Sequence, residues 1–205
     1  MTTSSPAEPE ATDQPNRYLP GMKWAAAEAI GRYKALHNVG ELSALLAILG
    51  DLEPKVVLEI GTWAGGSAWA FSRIPTVSHI VTVDLEPRPE AAEQLAQLPC
   101  RAEQVTGDSQ HPTTFKQVRA LLDGFRPDVV FIDGAHDYVH ARKDWELYGP
   151  LVQRGGVVVL HDTQGYPGVD MVQVPQLWAE VRQNYRTTEL IDTLGGPGGT
   201  GIVWF

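Results

Sequence analysis

Acidic residues and histidines stand where several short apolar runs of this 205-residue sequence end. Glu59 and Asp84 close the first two runs, Asp133 closes a later one, and the pair His161-Asp162 follows the last. Carboxylates gathered at one edge of a sheet repel one another, so such a group indicates a cation, a hydroxyl-rich ligand or both. One carboxylate can accept hydrogen bonds from two vicinal hydroxyl groups, and two carboxylates can share a divalent ion.

The segment after the first apolar run is rich in glycine, with the sequence Glu59-Ile-Gly-Thr-Trp-Ala-Gly-Gly-Ser67. Its glycines permit a tight turn from strand to helix and a close approach of the backbone to a ligand. A dinucleotide site requires the pattern G-x-G-x-x-G, which fails here because Thr62 and Trp63 follow Gly61. This failure disfavours a nicotinamide-dependent oxidoreductase, and the acidic Glu59 favours a ligand without a pyrophosphate.

Apolar runs alternate with helical patterns from Pro54 onward, as in α/β proteins. Each run is apolar on both faces, which predicts a mainly parallel sheet covered by helices on both sides. The last two strands are joined by a Gly/Pro-rich link at residues 195–201 and predict an antiparallel C-terminal hairpin. The expected fold is therefore α/β, with one doubly wound, mainly parallel sheet of seven strands. The predicted strands span residues 56–60, 79–84, 102–105, 128–133, 156–160, 187–192 and 202–205, and the later helices span residues 90–98, 113–125, 138–151 and 174–184.

The sequence before this core divides into two parts. Residues 1–17 are rich in Ser, Thr, Pro, Ala and Glu, which predicts a disordered tail. Residues 18–53 carry helical patterns on both sides of Gly40 and predict an N-terminal helical cover over one end of the sheet. Together with the core at residues 54–205, this cover forms one predicted domain, and its long apolar helices are compatible with a homodimer.

Composition narrows the classes of partner. The formal net charge is −9, whereas binding to nucleic acid is driven by Lys and Arg, so we expect no nucleic-acid partner. No apolar stretch is long enough to span a bilayer, and the N-terminus lacks the pattern of a secretion signal. We therefore expect a cytoplasmic protein without a membrane partner. The lone Cys100 offers neither an internal disulfide nor metal-ligand spacing.

Two stretches of the sequence resemble class I S-adenosylmethionine-dependent methyltransferases of the small-molecule O-methyltransferase branch. The first is the motif Glu59-x-Gly61-x-x-x-Gly65-Gly66-Ser67. The resemblance spans the chain from about Gly40 to its end and implies a Rossmann-like fold, S-adenosylmethionine as cofactor and a small hydroxylated acceptor of the sugar or phenol type. The second stretch, similar to the macrocin and cephalosporin-biosynthesis methyltransferases, is Phe131-Ile-Asp-Gly-Ala-His-Asp-Tyr138, followed by Asp144, Pro150-Leu151, Gly155-Gly156 and His161-Asp162.

The resemblance also assigns residues to the cofactor. It implies that Glu59 lies beneath the glycine-rich loop, that Asp84 accepts hydrogen bonds from the ribose hydroxyls, and that Asp133 borders the cofactor as well. Asp108 and Ser109 are expected beside the adenine. The loop residues expected to hold the methionine part of the cofactor are Gly61, Thr62, Trp63, Gly65, Gly66 and Ser67.

Asp133 and Asp162 end strands that should be neighbours, about 5 Å apart, and two carboxylates so placed can bind Mg²⁺ or another divalent metal. Metal-dependent relatives have an acidic or amide group beside the second aspartate, whereas this chain has His161. An imidazole shifts the preference toward a transition ion, and the predicted metal ligands are Asp133, His161 and Asp162.

His136 stands where catechol O-methyltransferase and similar enzymes place a catalytic lysine. We expect His136 to act as general base, with Asp133 as the second catalytic residue.

Two alternatives stay open beside this metal-assisted enzyme. A methyltransferase of the same fold without a metal would rely on His136 alone, and a non-catalytic S-adenosylmethionine-binding protein would need no base at all. The joint presence of Asp133, His136 and Asp162 favours an enzyme. The acceptor is not encoded in a readable pattern, because loops form acceptor pockets. The sequence also leaves open whether His37, His111 or His140 contacts the substrate, and whether an acceptor pocket is lined by Trp63, Tyr138, Tyr166 and Trp178.

Overall fold

One mixed sheet organises the protein in the computed structural model, which describes residues 19–194 and 196–205. Its strands are β1 (Val56–Ile60), β2 (His79–Asp84), β3 (Arg101–Thr106), β4 (Val129–Ile132), β5 (Val157–Gly165), β6 (Arg186–Leu190) and β7 (Gly198–Trp204). The strand order is β3-β2-β1-β4-β5-β7-β6. The first five strands are parallel, and β7 is antiparallel to both β5 and β6. The predicted seven-stranded, mainly parallel sheet with an antiparallel C-terminal hairpin is confirmed.

Seven α-helices accompany the strands over the described ranges. They are α1 (Leu19–Gly31), α2 (Val39–Leu52), α3 (Gly66–Phe71), α4 (Pro89–Leu95), α5 (Pro112–Leu121), α6 (Tyr138–Tyr148) and α7 (Val174–Val181). The prediction that Gly40 separates the first two helices is wrong, because Gly40 lies in the first turn of α2. The break falls at residues 32–38, where Lys34 has a positive φ of 59° and Asn38 is extended. The predicted tail at residues 1–17 lies outside the described residues.

The fifth strand is longer than the apolar pattern predicts. The pattern ends the strand before His161, but β5 continues through Asp162 to Gly165. The extension pairs with β7, where His161 is opposite Thr200 and Gly165 is opposite Gly198. The register shifts between these two pairs, and Asp162 has a positive φ of 61° there. The pairing with a strand at the far end of the sequence is the reason that local patterns miss this extension.

Helices cover both faces of the sheet, and each strand supplies apolar side chains to both. Val57 and Val159 pack on the side of α1, α2 and α3, whereas their neighbours Leu58 and Leu160 pack on the side of α5, α6 and α7. All four residues are buried. Strand geometry alternates side chains with a period of two, and burial of both faces explains the continuous apolar runs in the sequence.

The helices of the predicted cover contribute to the same apolar core as the sheet. Ala26 of α1 and Leu46 of α2 are buried in one cluster with Val57 and Phe131. Among the residues that the structure describes, no helix combines the length and the apolar character that a bilayer span requires.

The order of the strands creates a crevice beyond the end of β1. The strands β2 and β3 lie on one side of β1, whereas β4 and β5 lie on the other. In open α/β sheets, ligands bind at such a switch point, beyond the carboxyl ends of the strands. The residues that follow β1, β2 and β4 are therefore brought to one edge of the sheet.

Candidate active site

A cavity of about 940 Å³ opens at this edge of the sheet. It is lined by the loops that follow β1, β2, β3 and β4, by part of β5 and by residues 34–37 between α1 and α2. Glu59 and Gly65 are not among the lining residues. The predicted site residues that do line it are Gly61, Thr62, Trp63, Gly66, Ser67, Asp84, Asp108, Ser109, Asp133, His136, His161 and Asp162.

Two glycines of the loop after β1 are required by close backbone packing. Gly61 has a φ of +99°, and a Cβ atom there would collide with the backbone carbonyl of Asp133. At Gly66 a Cβ atom would lie 2.6 Å from the carbonyl oxygen of Tyr33 and 2.5 Å from the backbone nitrogen of Ala35. These glycines thus let the backbone of the loop pack closely against the end of β4 and against the segment between α1 and α2. The sequence pattern predicts instead a close approach of the backbone to a ligand.

Glu59 lies beneath the loop and holds Ser67. The Ser67 hydroxyl donates a hydrogen bond of 2.5 Å to Oε1 of Glu59. Burial raises the pKa of the Glu59 carboxyl to about 8. Its other oxygen, Oε2, has no hydrogen-bond partner among the described residues. The family resemblance implies this position of Glu59 beneath the loop, and the contact with Ser67 gives the position a physical role.

Asp84, at the end of β2, fixes the backbone of the loop that follows β1. Its Oδ2 accepts a hydrogen bond of 2.6 Å from the backbone N–H of Trp63. Its Oδ1 accepts a hydrogen bond of 3.0 Å from the backbone N–H of Glu86. The Trp63 ring is 47% exposed and lies beneath the guanidinium of Arg88 at 3.8 Å. Each carboxylate oxygen has two lone pairs, so Asp84 retains acceptor capacity toward the cavity.

Asp144 supports the loop after β3, and sequence reasoning gave it no role beyond membership of a motif. Its Oδ1 accepts a hydrogen bond of 2.7 Å from the Ser109 hydroxyl. The Tyr148 hydroxyl donates to the backbone carbonyl of Ser109 at 2.5 Å, and the backbone N–H of Gln110 donates to Asp108 at 2.9 Å. Burial raises the pKa of Asp144 to about 6. The loop that carries Asp108 and Ser109 is therefore fixed by side chains of α6.

Histidines and carboxylates alternate at the ends of β4 and β5. Nδ1 of His161 lies 3.1 Å from Oδ1 of Asp133 and 3.2 Å from Oδ1 of Asp162. Nε2 of His136 lies 3.5 Å from a carboxylate oxygen of each aspartate. The Tyr166 hydroxyl donates to Oδ1 of Asp162 at 2.7 Å. The structure thus brings the predicted catalytic and metal-binding residues into one group.

The charges in this group shift one another's pKa values. Burial lowers the pKa of His161, but the carboxylate of Asp133 outweighs this effect and raises the pKa to about 9. Burial alone would raise the pKa of Asp133, whereas the charge of His161 holds it well below its usual range. The hydrogen bond to Asp133 raises the pKa of His136. Opposite charges in close contact therefore stabilise the ionised forms.

His37 joins the group from the segment between α1 and α2. Its side chain is 4% exposed, and its ring meets the ring of His161 edge to face, with 4.3 Å between centroids. Burial lowers the pKa of His37 to about 3. The ligand atoms of two sets of residues lie within 4.8 Å of one another: His37, Asp133 and His161 form one set, and Asp133, His136 and Asp162 form the other. The predicted metal triplet is divided between these two sets.

The other side chains considered for the acceptor pocket have different surroundings. His140 lines the cavity and lies 2.7 Å from Asp137, whereas His111 accepts a hydrogen bond from the backbone N–H of Thr113 at the start of α5. Trp63 and Tyr166 line the cavity. Tyr138 and Trp178 do not; Trp178 is buried. The exposed Leu36 and Val169 at the cavity are contributions that sequence reasoning missed.

Comparison with known proteins identifies a family and several relatives. The model of a family described as a methyltransferase domain matches residues 58–163, just over half of the chain. Rhamnosyl O-methyltransferase of Mycobacterium tuberculosis is 25% identical over 175 residues, which are 79% of this chain and 68% of that protein. An uncharacterized protein of Acanthamoeba polyphaga mimivirus is 27% identical over 167 residues, or 77% of this chain and 75% of that protein.

Solved structures show the same fold at low identity. An O-methyltransferase from Bacillus cereus in complex with SAH has a TM-score of 0.65 at 18% identity and covers 96% of this chain and 94% of its own. MycE methyltransferase from the mycinamycin biosynthetic pathway, in complex with Mg, SAH and mycinamycin VI, has a TM-score of 0.63 at 16% identity. That match covers 93% of this chain and 55% of its own.

Proposed function

This chain belongs to the methyltransferase-domain family, and from that membership we propose that it transfers a methyl group from S-adenosylmethionine to a hydroxyl group of a small molecule. The observation that carries the proposal is a single cavity with a glycine-rich loop and Asp84 on one side and a histidine–carboxylate group on the other. S-Adenosylmethionine, when bound, supplies an electrophilic methyl group on a good leaving group. The chain must therefore hold the cofactor, orient the acceptor and take up its proton.

The residues around the loop fit such a cofactor. Asp84 retains lone pairs for the ribose hydroxyls while two backbone N–H groups fix its carboxylate. The backbone of the loop from Gly61 to Ser67 would hold the methionine part, with Glu59 fixing Ser67 from below. Asp108 and Ser109, fixed through Asp144, would border the adenine. The SAH in the complex of the Bacillus cereus O-methyltransferase supports the same class of ligand.

His136 is the proposed general base. Its side chain is 43% exposed and lines the cavity, whereas the side chain of His161 is 5% exposed. The tautomer with a proton on Nε2 donates toward Asp133 and leaves the lone pair of Nδ1 to accept the proton of the acceptor hydroxyl. Asp133 thereby orients the imidazole and stabilises its protonated form.

A divalent ion bound by Asp133, His161 and Asp162 is the second part of the proposal. Two carboxylates and an imidazole form a donor set that suits such an ion, and the ion would neutralise negative charge on the acceptor oxygen. The magnesium named with MycE supports a metal in this fold. The alternative without a metal is favoured by one contact: His161 lies between both carboxylates and, when protonated, offsets one of their two negative charges.

The acceptor is proposed to be a sugar or phenol with an apolar part. Leu36 and Val169 are 67% and 40% exposed and both line the cavity, as does Tyr166. Such side chains favour contact with an apolar ligand surface. The name of the mycobacterial relative, rhamnosyl O-methyltransferase, supports a hydroxylated acceptor.

Calorimetric titration of S-adenosylmethionine into metal-free protein tests the proposal, with and without Mg²⁺. We expect the wild-type chain to bind, and Asp84→Asn to bind roughly 10- to 100-fold more weakly, because hydrogen bonds to a charged acceptor are strong. The matched control is Glu90→Gln, which changes an exposed acid of α4. A wild-type chain that fails to bind the cofactor under either condition rules the proposal out.

A further inference from the structure

A buried imidazole without a hydrogen bond lies beside the carboxylates of the site. The side chain of His37 is 4% exposed and forms no hydrogen bond with the residues that the structure describes. Its Nε2 atom lies 3.9 Å from Oδ2 of Asp133, which is beyond hydrogen-bond range. His37 also lines the cavity, so its ring can contact a ligand held between it and the carboxylate of Asp133.

A nitrogen of His161 and a carboxylate oxygen of Asp133 lie close to the ring of His37. Nδ1 of His161 lies 3.1 Å from Oδ1 of Asp133, and the donor atoms of all three residues lie within 4.8 Å of one another. Atoms that share a zinc-like ion sit about 2.0–2.1 Å from it and so roughly 3–3.5 Å from each other. The distance of 3.1 Å between His161 and Asp133 lies in this range, whereas the 3.9 Å between His37 and Asp133 exceeds it, so the side chain of His37 must move toward Asp133 to close the set around an ion.

We propose that His37, Asp133 and His161 bind a divalent transition-metal ion in preference to Mg²⁺. Two imidazoles and one carboxylate suit ions such as Zn²⁺ and Fe²⁺, whereas Mg²⁺ takes oxygen ligands. The inference rests on the proposed function, because the ion would occupy the metal site of the proposed methyltransferase. It goes further by placing His37 in the ligand set in place of Asp162 and by naming the class of ion.

This ligand set has a consequence for the rest of the site. His37 comes from the segment between α1 and α2, so the ion joins that segment to the ends of β4 and β5. His136 is not needed as a ligand and remains available as a base. In the competing arrangement, protonated His161 forms ion pairs with Asp133 and Asp162 in place of the metal, and no ion binds.

Cobalt binding tests the inference without any measurement of activity. The full chain, stripped of metal by a chelator, is titrated with Co²⁺ by visible absorption and calorimetry, followed by competition with Zn²⁺ and with Mg²⁺. We expect one Co²⁺ per chain, with Mg²⁺ bound at least about 100-fold more weakly. His37→Ala should lower the Co²⁺ affinity by about 10-fold or more. His111→Asn is the control, because it removes an exposed imidazole and retains an acceptor at the start of α5.

Proton NMR of the Co²⁺-loaded wild-type chain provides a second readout that does not depend on the folding of a variant. Two coordinated imidazoles should give two sets of strongly shifted ring signals, and one set or none overturns the inference. So does a wild-type chain that binds no Co²⁺, one that prefers Mg²⁺, or a folded His37→Ala variant with unchanged Co²⁺ affinity. S-Adenosylmethionine titrations of the same samples separate the two proposals: cofactor binding without Co²⁺ binding contradicts only this inference, and the reverse result contradicts only the proposed function.

Discussion

His136 differs from the other two histidines of the site in its exposure. Its side chain is 43% exposed, against 4% for His37 and 5% for His161. All three rings line the cavity, but the well-exposed ring of His136 is the one best placed to exchange a proton with an acceptor hydroxyl, whereas the two buried rings are suited to be ligands or counter-ions. The roles proposed for the three histidines therefore follow from where each ring lies and not from residue type.

Replacement of His136 tests its role as base. We expect His136→Ala to lower kcat about 100- to 10,000-fold, the usual contribution of a general base, while the affinity for S-adenosylmethionine stays within about twofold because no cofactor contact is assigned to this ring. The measurement is release of S-adenosylhomocysteine with a panel of sugars and phenols as acceptors. Added imidazole should restore part of the rate, since the ring faces the open cavity. Equal loss of cofactor affinity and rate would contradict the role.

Asp144 gives a stability prediction with a defined sign. Burial raises its pKa from 3.8 to about 6 in the folded chain, so the folded state holds its proton more tightly than the unfolded state does. The favourable contribution is present below about pH 4 and is lost as the pH rises to about 6. Asp144→Asn does not titrate, and its oxygen still accepts from Ser109. Relative to wild type, its free energy of unfolding should therefore rise by roughly 2–3 kcal/mol between about pH 4 and pH 7. Urea unfolding at both pH values measures the difference, and a difference independent of pH would contradict the assignment.

At the scale of elements, the loop after β1 is positioned by its contact with the segment between α1 and α2. Gly66 begins α3, and a Cβ atom there would lie 2.6 Å from the carbonyl oxygen of Tyr33. Backbone atoms cannot rotate away as a flexible side chain can. The same segment carries His37, so the packing of Gly66 against residues 33–35 also sets the position of that imidazole.

Gly66→Ala should therefore disturb both stability and metal binding. We expect a loss of about 1–3 kcal/mol in the free energy of unfolding, as for overpacked sites, and weaker Co²⁺ binding because residues 33–37 must move. The matched control is Gly149→Ala, where the nearest atoms lie 3.7 Å away and φ is −53°. It should be neutral within about 1 kcal/mol. Thermal unfolding and Co²⁺ titration of both variants give the comparison, and equal behaviour of the two variants would refute it.

The elements also show what the sequence can predict. Runs such as Val56–Ile60 are apolar because both faces of the strand are buried, so their positions and the acids at their ends follow from local pattern. The extension of β5 and the break before α2 depend on distant partners: Thr200 pairs with His161, and Asp192 contacts Gly40. The position of His37 depends on where the chain breaks between α1 and α2. The sequence around His37 therefore does not predict that its ring lies at the site.

At the scale of the whole molecule, one buried acid joins the two ends of the described chain. Glu41 of α2 is 2% exposed and accepts hydrogen bonds from the backbone N–H groups of Asp192 and Gly199 at 3.1 and 3.2 Å. Its carboxylate also accepts a hydrogen bond from the Thr200 hydroxyl at 3.4 Å. Helix α2, the link between β6 and β7, and the start of β7 are thus held together by one side chain.

Glu41→Ala should loosen the cover and the hairpin together. The variant removes the acceptor of the buried Gly199 N–H and of the partly buried Asp192 N–H, so we expect a loss of about 2–4 kcal/mol in the free energy of unfolding. Glu41→Gln, which keeps the size and one acceptor oxygen, should lose less than half of that. Because α1 and α2 share the apolar cluster of the sheet, both variants should still unfold in one cooperative step by circular dichroism. Hydrogen exchange should show that the amides of α2 and β7 lose protection to the same extent. If the helical cover instead opens before the sheet does, residues 18–53 and 54–205 are separate folding units.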